Sequence, residues 1–186
     1  MRIIGGNLRG KKITPPANYM ARPTTDFAKE GLFNMLSNEF DFGEISVLDL
    51  FSGTGSISYE FASRGCTDII SIEMNPIHSR FIKKCVSEFR IEGMQVTRYN
   101  AFDFIDICRK KFDIIFADPP YSIQGLDTIP ERILGNGLVR KNGYLILEHP
   151  GTFDFTGNPH FVKEKRYGNV HFSFFTPVSA STPATP

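Results

Sequence analysis

Ile45-Ser46-Val47-Leu48-Asp49-Leu50-Phe51-Ser52-Gly53-Thr54-Gly55 decides the fold of this chain. The apolar run Ile45–Phe51 reads as a strand, the two glycines permit a sharp turn, and Ser56–Arg64 reads as a helix stopped by Gly65. The same unit then recurs. Asp68–Met74 is a strand, followed by a helix over Pro76–Arg90 with proline at its start. Met94–Tyr99 and Phe112–Ala117 are further strands, followed by helices at Ala101–Arg109 and Ile129–Leu134, and Gly143–Glu148 is another strand. Such alternation predicts an α/β fold with a doubly wound, mostly parallel, seven-stranded sheet covered on both faces.

Both ends depart from the alternation. Arg2-Ile3-Ile4 and Leu8–Ile13 flank Gly5-Gly6-Asn7 and read as a small N-terminal β-hairpin, and residues 24–39 read as a helix capped by Thr24 or Thr25. Phe161–Arg166 and Val170–Phe175, separated by Tyr167-Gly168-Asn169, read as a closing antiparallel hairpin. The expected organisation is an extension over residues 1–43, a main domain over 44–177, and a Ser/Thr/Ala/Pro-rich disordered tail over 178–186.

The 186 residues suffice for one domain with a sizeable core, and Phe (18) far outnumbers Tyr (6), which suits a packed globule. No stretch approaches a membrane span, and the first residues lack the apolar core of a signal peptide. Cys66, Cys85 and Cys108 are widely spaced and suggest reduced thiols, hence a cytoplasmic protein. His78, His149, His160 and His171 lack ligand spacing, so no metal is expected. Net charge is +1, but residues 1–30 hold six basic and two acidic residues, a net of +4, and the remainder 15 basic and 18 acidic, a net of −3. A basic front end on a slightly acidic body suggests an arm that faces a polyanion, with Arg2, Arg9, Lys11, Lys12 and Arg22 as candidate phosphate contacts.

Two segments carry chemistry. In Asp118-Pro119-Pro120-Tyr121, each proline offers a carbonyl without an N–H and pushes its predecessor into an extended shape. The result is a stiff hook. Its carboxylate and a carbonyl can accept both hydrogens of an exocyclic NH2 while the Tyr121 ring stacks on the plane. The turn Asp49–Gly55 lies where open α/β sheets place their ligand crevice, and Glu73 ends the next strand, where a carboxylate can take both hydroxyls of a ribose. A dinucleotide fingerprint needs a third glycine, but Ser58 stands there, and Asp49 disfavours a pyrophosphate. Asp49 suits a cationic ligand such as S-adenosyl-L-methionine. Asn100-Ala101 ends the third strand, where the Asn100 amide can accept from an adenine amino group and nearby backbone N–H groups can reach ring nitrogens. Plainer readings stay open on sequence alone: a tight βα turn, a helix cap at Asn100, a packed loop aromatic at Tyr121.

Arg22-Pro23-Thr24-Thr25-Asp26, Leu32-Phe33-Asn34, Asp49-x-Phe51-x-Gly53-x-Gly55, Glu73-Met74, Asp118-Pro119-Pro120-Tyr121 and Tyr167-Gly168, together with the opening Met1–Gly6, resemble the bacterial 16S ribosomal RNA (guanine(966)-N2)-methyltransferase family over nearly the whole chain. The resemblance implies a class I, Rossmann-like methyltransferase using S-adenosyl-L-methionine. Its substrate would be 16S ribosomal RNA, free or in an assembling small-subunit particle, met by a monomer. It implies catalytic roles for Asp118, Pro119, Pro120 and Tyr121. It also implies cofactor contacts at Thr24, Asp49, Phe51, Gly53, Gly55, Glu73, Met74, Asn100 and Ala101, with Thr24–Asp26 reaching the methionine end. Asn100 stands where the family usually shows Asp, and Phe27 where it commonly shows a basic residue. The alternatives are an amino-methyltransferase acting on DNA adenine or protein glutamine, and a non-catalytic RNA-binding assembly module.

Overall fold

A computed structural model describes residues 1–16 and 24–178. Its seven strands are β1 (Ser46–Leu50), β2 (Asp68–Ile72), β3 (Met94–Thr97), β4 (Phe112–Ala117), β5 (Val139–His149), β6 (Phe161–Tyr167) and β7 (Val170–Phe175). They form one sheet in the order β3-β2-β1-β4-β5-β7-β6. β1 to β5 run parallel, and β7 is inserted antiparallel between β5 and β6. The chain winds outward from β1 to β3, then returns to lay β4 on the other side of β1. That reversal opens a crevice beyond the carboxyl ends of β1 and β4.

The helices are α1 (Asp26–Leu36), α2 (Ser56–Ser63), α3 (Pro76–Glu88), α4 (Ala101–Ile107) and α5 (Ile129–Gly135). All five residues of β1 are buried, and alternate side chains feed two cores. Val47 joins Phe33, Phe61, Ile82, Phe172 and Phe174 on the face covered by α1, α2 and α3. Leu48 and Leu50 join Ile105, Ile115 and Ile133 on the face covered by α4 and α5. Phe172, Phe174 and Phe175 are buried in these cores.

The two N-terminal segments pair antiparallel: Arg2 bridges Lys12, Ile3 N–H donates to the Lys11 carbonyl (3.1 Å), Gly10 N–H to the Ile3 carbonyl (2.8 Å) and Ile13 N–H to the Met1 carbonyl (3.0 Å). The turn between them docks on the end of α2: Asn7 N–H donates to the Ser63 carbonyl (2.7 Å), Leu8 N–H to Ser63 Oγ (2.9 Å), and Ser63 Oγ to the Gly5 carbonyl (2.5 Å). Gly6 has φ +74°, and a Cβ there would lie 1.8 Å from the Ser63 carbonyl oxygen, so only glycine fits. One expectation changes: β5 begins at Val139, ahead of the expected Gly143. The exposed Arg140-Lys141-Asn142 hides its start, and the register with β4 shifts between Phe112 and Ile114. The expected tail lies outside the described residues from residue 179 onward.

A buried ionic network ties the N-terminal segment to the body. Glu60 on α2 accepts from Ile4 N–H (2.8 Å) and Lys29 Nζ (3.3 Å) and pairs with Arg64. Lys29 Nζ also donates to the Arg2 carbonyl (2.7 Å). Among the described residues, no helix is long and apolar enough to cross a membrane.

Candidate active site

The turn after β1 is built from left-handed backbone. Phe51 (φ 60°), Gly53 (φ 57°) and Gly55 (φ 82°) all adopt positive φ. For a bulky residue such as Phe51 this is an outlier, costing about 1–2 kcal/mol. Neighbouring contacts enforce it. Ser52 N–H donates to the Ile72 carbonyl (2.9 Å), and Gly55 N–H to the Ser52 carbonyl (2.7 Å). The Glu73 carboxylate accepts from Gly53 N–H and from Asn75 N–H, each at 2.7 Å. Glu73 thus fixes the turn, and each of its oxygens keeps a further lone pair for a ligand hydroxyl.

A cleft of about 700 Å³ opens above this turn. Phe51, Gly53, Glu73, Met74, Asn100 and Ala101 line it from one side, and Asp118, Pro119, Pro120 and Tyr121 from the other. The sequence-derived hook and cofactor turn therefore meet in one cavity. A small recess of about 30 Å³ adjoins it, lined by Thr24, Asp49 and Ser56 and sharing Phe51, Gly53 and Asp118 with the cleft. Gly55 lines neither; it is the residue before α2, and a Cβ there would lie 2.8 Å from the Tyr59 ring. Asn100 Oδ1 caps α4, accepting from Phe102 N–H (2.9 Å) and Asp103 N–H (3.3 Å), while its Nδ2 faces Met74 Sδ at 3.7 Å. The cap reading and a place on the cleft wall hold together at this residue.

Arg2, Arg9, Lys11 and Lys12 are exposed on the N-terminal segment and line neither cavity. Arg2 is engaged by Asp26 (2.8 Å), and Lys11 lies over the Phe89 ring (5.1 Å). Arg22 lies outside the described residues.

The electrostatics centre on three carboxyls. Asp49 is buried and accepts from Ser58 Oγ at 2.5 Å. Burial pushes its pKa up to about 7, against the pull of hydrogen bonds from Ser58 and Ser52. Burial likewise pushes Glu148 up to about 7, although hydrogen bonds from Thr24 and Tyr121 favour its charged form. Loss of water around Asp118 raises its pKa well above the usual range, and the charges of Glu148 and Asp49 add to the shift. Three carboxyls this crowded favour a cation beside them and repel a phosphate. With apolar walls and a ribose-competent Glu73, the site fits the adenosine and sulfonium of S-adenosylmethionine and does not fit a pyrophosphate.

Sequence reasoning passed over Glu148. Ala117 pairs with Leu147, so Asp118 and Glu148 stand side by side at the carboxyl edge of the sheet. The signal was an acid ending the strand after the hook, the same pattern that marks Glu73. His78 and Asn169 also line the cleft unforeseen. His149 is buried, with Nδ1 on the Pro150 carbonyl (2.9 Å) and Nε2 on Ser173 Oγ (2.8 Å), and serves the structure.

The model of the family described as "Conserved hypothetical protein 95" matches residues 1–176. Ribosomal RNA small subunit methyltransferase D of Escherichia coli strain K12 is 34% identical over 178 residues, covering 94% of this chain and 89% of that protein. A solved hypothetical protein of Thermus thermophilus superposes with a TM-score of 0.83 at 27% identity, covering 95% of this chain and 99% of that one. The T. thermophilus 16S rRNA N2 G1207 methyltransferase, solved with AdoMet and guanosine, shares the fold alone (TM-score 0.65, 17% identity, 85% of this chain and 45% of that one). With its glycine turn, crowded carboxyls and seven-stranded sheet in one frame, the chain belongs to the Conserved hypothetical protein 95 family, that of ribosomal RNA small subunit methyltransferase D, and so to the S-adenosylmethionine-dependent methyltransferases of class I fold.

Proposed function

We propose that this chain methylates the exocyclic N2 of a guanine in 16S ribosomal RNA. The observation that carries this reading is the shared cleft: the Asp118–Tyr121 hook faces the same cavity as Gly53 and Glu73. The name of the E. coli relative supports ribosomal RNA of the small subunit as substrate.

Glu73 would hold the ribose hydroxyls, Phe51 and Ala101 the faces of the adenine, and the recess beside Asp49 and Thr24 the methionine end. When bound, S-adenosylmethionine supplies an electrophilic methyl group. The guanine amino group is a poor nucleophile because its lone pair is delocalised into the ring. Asp118 and the Pro119 carbonyl accept its two hydrogens, favour pyramidal nitrogen and aim the lone pair. Asp118 then takes or relays the released proton. Asp118 must be ionised to accept, and a cationic ligand in this cleft draws its raised pKa back down. Tyr121, 48% exposed, gives the base a stacking face worth about 1–3 kcal/mol. Positioning supplies most of the acceleration, about 7–11 kcal/mol for well-oriented reactants. The target base must leave its stack or lie in a loop. Arg9, Lys11 and Lys12 hold phosphates without reading sequence.

The test is transfer of labelled methyl to 16S RNA followed by nucleoside analysis, with DNA and protein as parallel acceptors. N2-methylguanosine from RNA alone is the expected product. N6-methyladenine in DNA, label on protein glutamine, or no transfer at all overturns the reading.

A further inference from the structure

Glu148 is 4% exposed on the cleft floor, at the penultimate position of β5. Its Oε2 accepts from Thr24 Oγ1 at 2.9 Å, and its carboxylate also accepts from the Tyr121 hydroxyl. The two donors come from different parts of the chain. Tyr121 tips the hook after β4, and Thr24 leads into α1. Among the described residues, no lysine or arginine pairs with Glu148. A buried carboxylate held by hydroxyl donors is costly to retain for stability alone.

We propose that Glu148 is a positioning residue for the methyl acceptor: one carboxylate fixes the Tyr121 ring at the cleft mouth and fastens Thr24 against the hook. This rests on the reading that Tyr121 stacks on the target guanine. An exposed tyrosine turns readily between rotamers. A hydrogen bond from its hydroxyl to a buried acceptor restricts it to one, so the base meets a ring already in place. Fastening Thr24 brings the start of α1, and the basic segment packed on it, into register with the same ring.

The experiment is a double-mutant cycle on methyl transfer to 16S RNA, using Glu148→Ala and Tyr121→Phe, which keeps the ring and removes only the hydroxyl. Each single variant is expected to lower kcat by about tenfold or more, as for slight misplacement of reactants. The double variant should be no slower than the slower single one, and S-adenosylhomocysteine should bind within about threefold of wild type. Glu148→Gln, whose amide oxygen still accepts a hydrogen bond, should recover most of the loss. Wild-type rates in Tyr121→Phe, or a double variant slowed by the product of both singles, overturn the proposal. If Glu148→Ala does not fold, Thr24→Val and Tyr121→Phe leave the carboxylate in place: slower transfer by each supports the role, and wild-type rates in both overturn it. Failure of the wild-type protein to methylate RNA would instead sink the functional reading beneath it.

Discussion

The Glu73 carboxylate, at the end of β2, accepts the backbone N–H of Gly53 at 2.7 Å and so ties two neighbouring strand ends together across the cleft floor. The residue placed to receive a ribose is also what shapes the turn beneath it. Glu73→Ala should therefore weaken S-adenosylhomocysteine binding about tenfold or more and cost about 1–3 kcal/mol of stability, because the Gly53 and Asn75 N–H groups lose their acceptor. Calorimetric titration and urea unfolding on one preparation check both effects. Weaker binding at unchanged stability would separate the two roles.

Asp118→Ala should nearly abolish methyl transfer while S-adenosylhomocysteine still binds. Asp118→Asn keeps the shape and one acceptor oxygen, and should also lose most of kcat because its amide cannot take a proton. Single-turnover assays with saturating cofactor check this. Substantial turnover in either variant would remove Asp118 from the chemistry.

Asp49 gives stability a pH dependence of definite sign. Its pKa rises from an ordinary 3.8 to about 7 on folding. Between those values the folded protein keeps a proton that the unfolded chain has released. The stabilisation is complete below about pH 4 and lost as pH rises through about 7. Asp49→Asn cannot titrate, so relative to it wild type should lose up to about 1.4 kcal/mol per pH unit across that window and run parallel above it. Urea midpoints from pH 5 to 8 check this; parallel curves throughout would contradict it.

Replacing Lys11 and Lys12 with Ala should weaken RNA binding at every sequence and reduce the salt slope by about 0.7 per lost single-strand phosphate contact. Filter binding from low to moderate salt measures it. An unchanged slope would mean that these lysines touch no phosphate.

Lys29→Met should cost about 1–3 kcal/mol, since the Arg2 carbonyl loses its donor while Glu60 keeps Arg64 and the Ile4 N–H. Urea denaturation reads the loss directly. Cofactor binding by the folded fraction should be intact, because neither Lys29 nor Glu60 lines the cleft.

The alternation of strands and helices was legible because the central strands β1 and β4 are buried on both faces and read as apolar runs, and turn residues separate them from the helices. Helix ends were overshot. α1 stops at Leu36, where the expectation ran to residue 39, because Ser37–Glu39 tighten into a turn in which Asn38 N–H donates to the Met35 carbonyl and Glu39 N–H to the Leu36 carbonyl. In the N-terminal arm Gly5-Gly6 announced the turn and the pairing of residues 1–3 with 10–13, but nothing in the sequence says that Ser63 on α2 receives that turn. Asp118 and Glu73 were readable from their places at strand ends. Glu148 shared that place, yet its significance depends on β5 lying beside β4, a fact of strand order. The left-handed Phe51 was invisible, because nothing in a phenylalanine announces positive φ.

The docking of Gly5 to Leu8 on Ser63 has a consequence for how the protein can vary. α2 carries the glycine turn at one end and clasps the arm at the other, over eight residues. It is a ruler about 12 Å long. Inserting one residue would swing the clasp about 100° around the helix axis, away from the turn. The length of this short rod, more than the composition of its surface, is what the molecule is least free to alter.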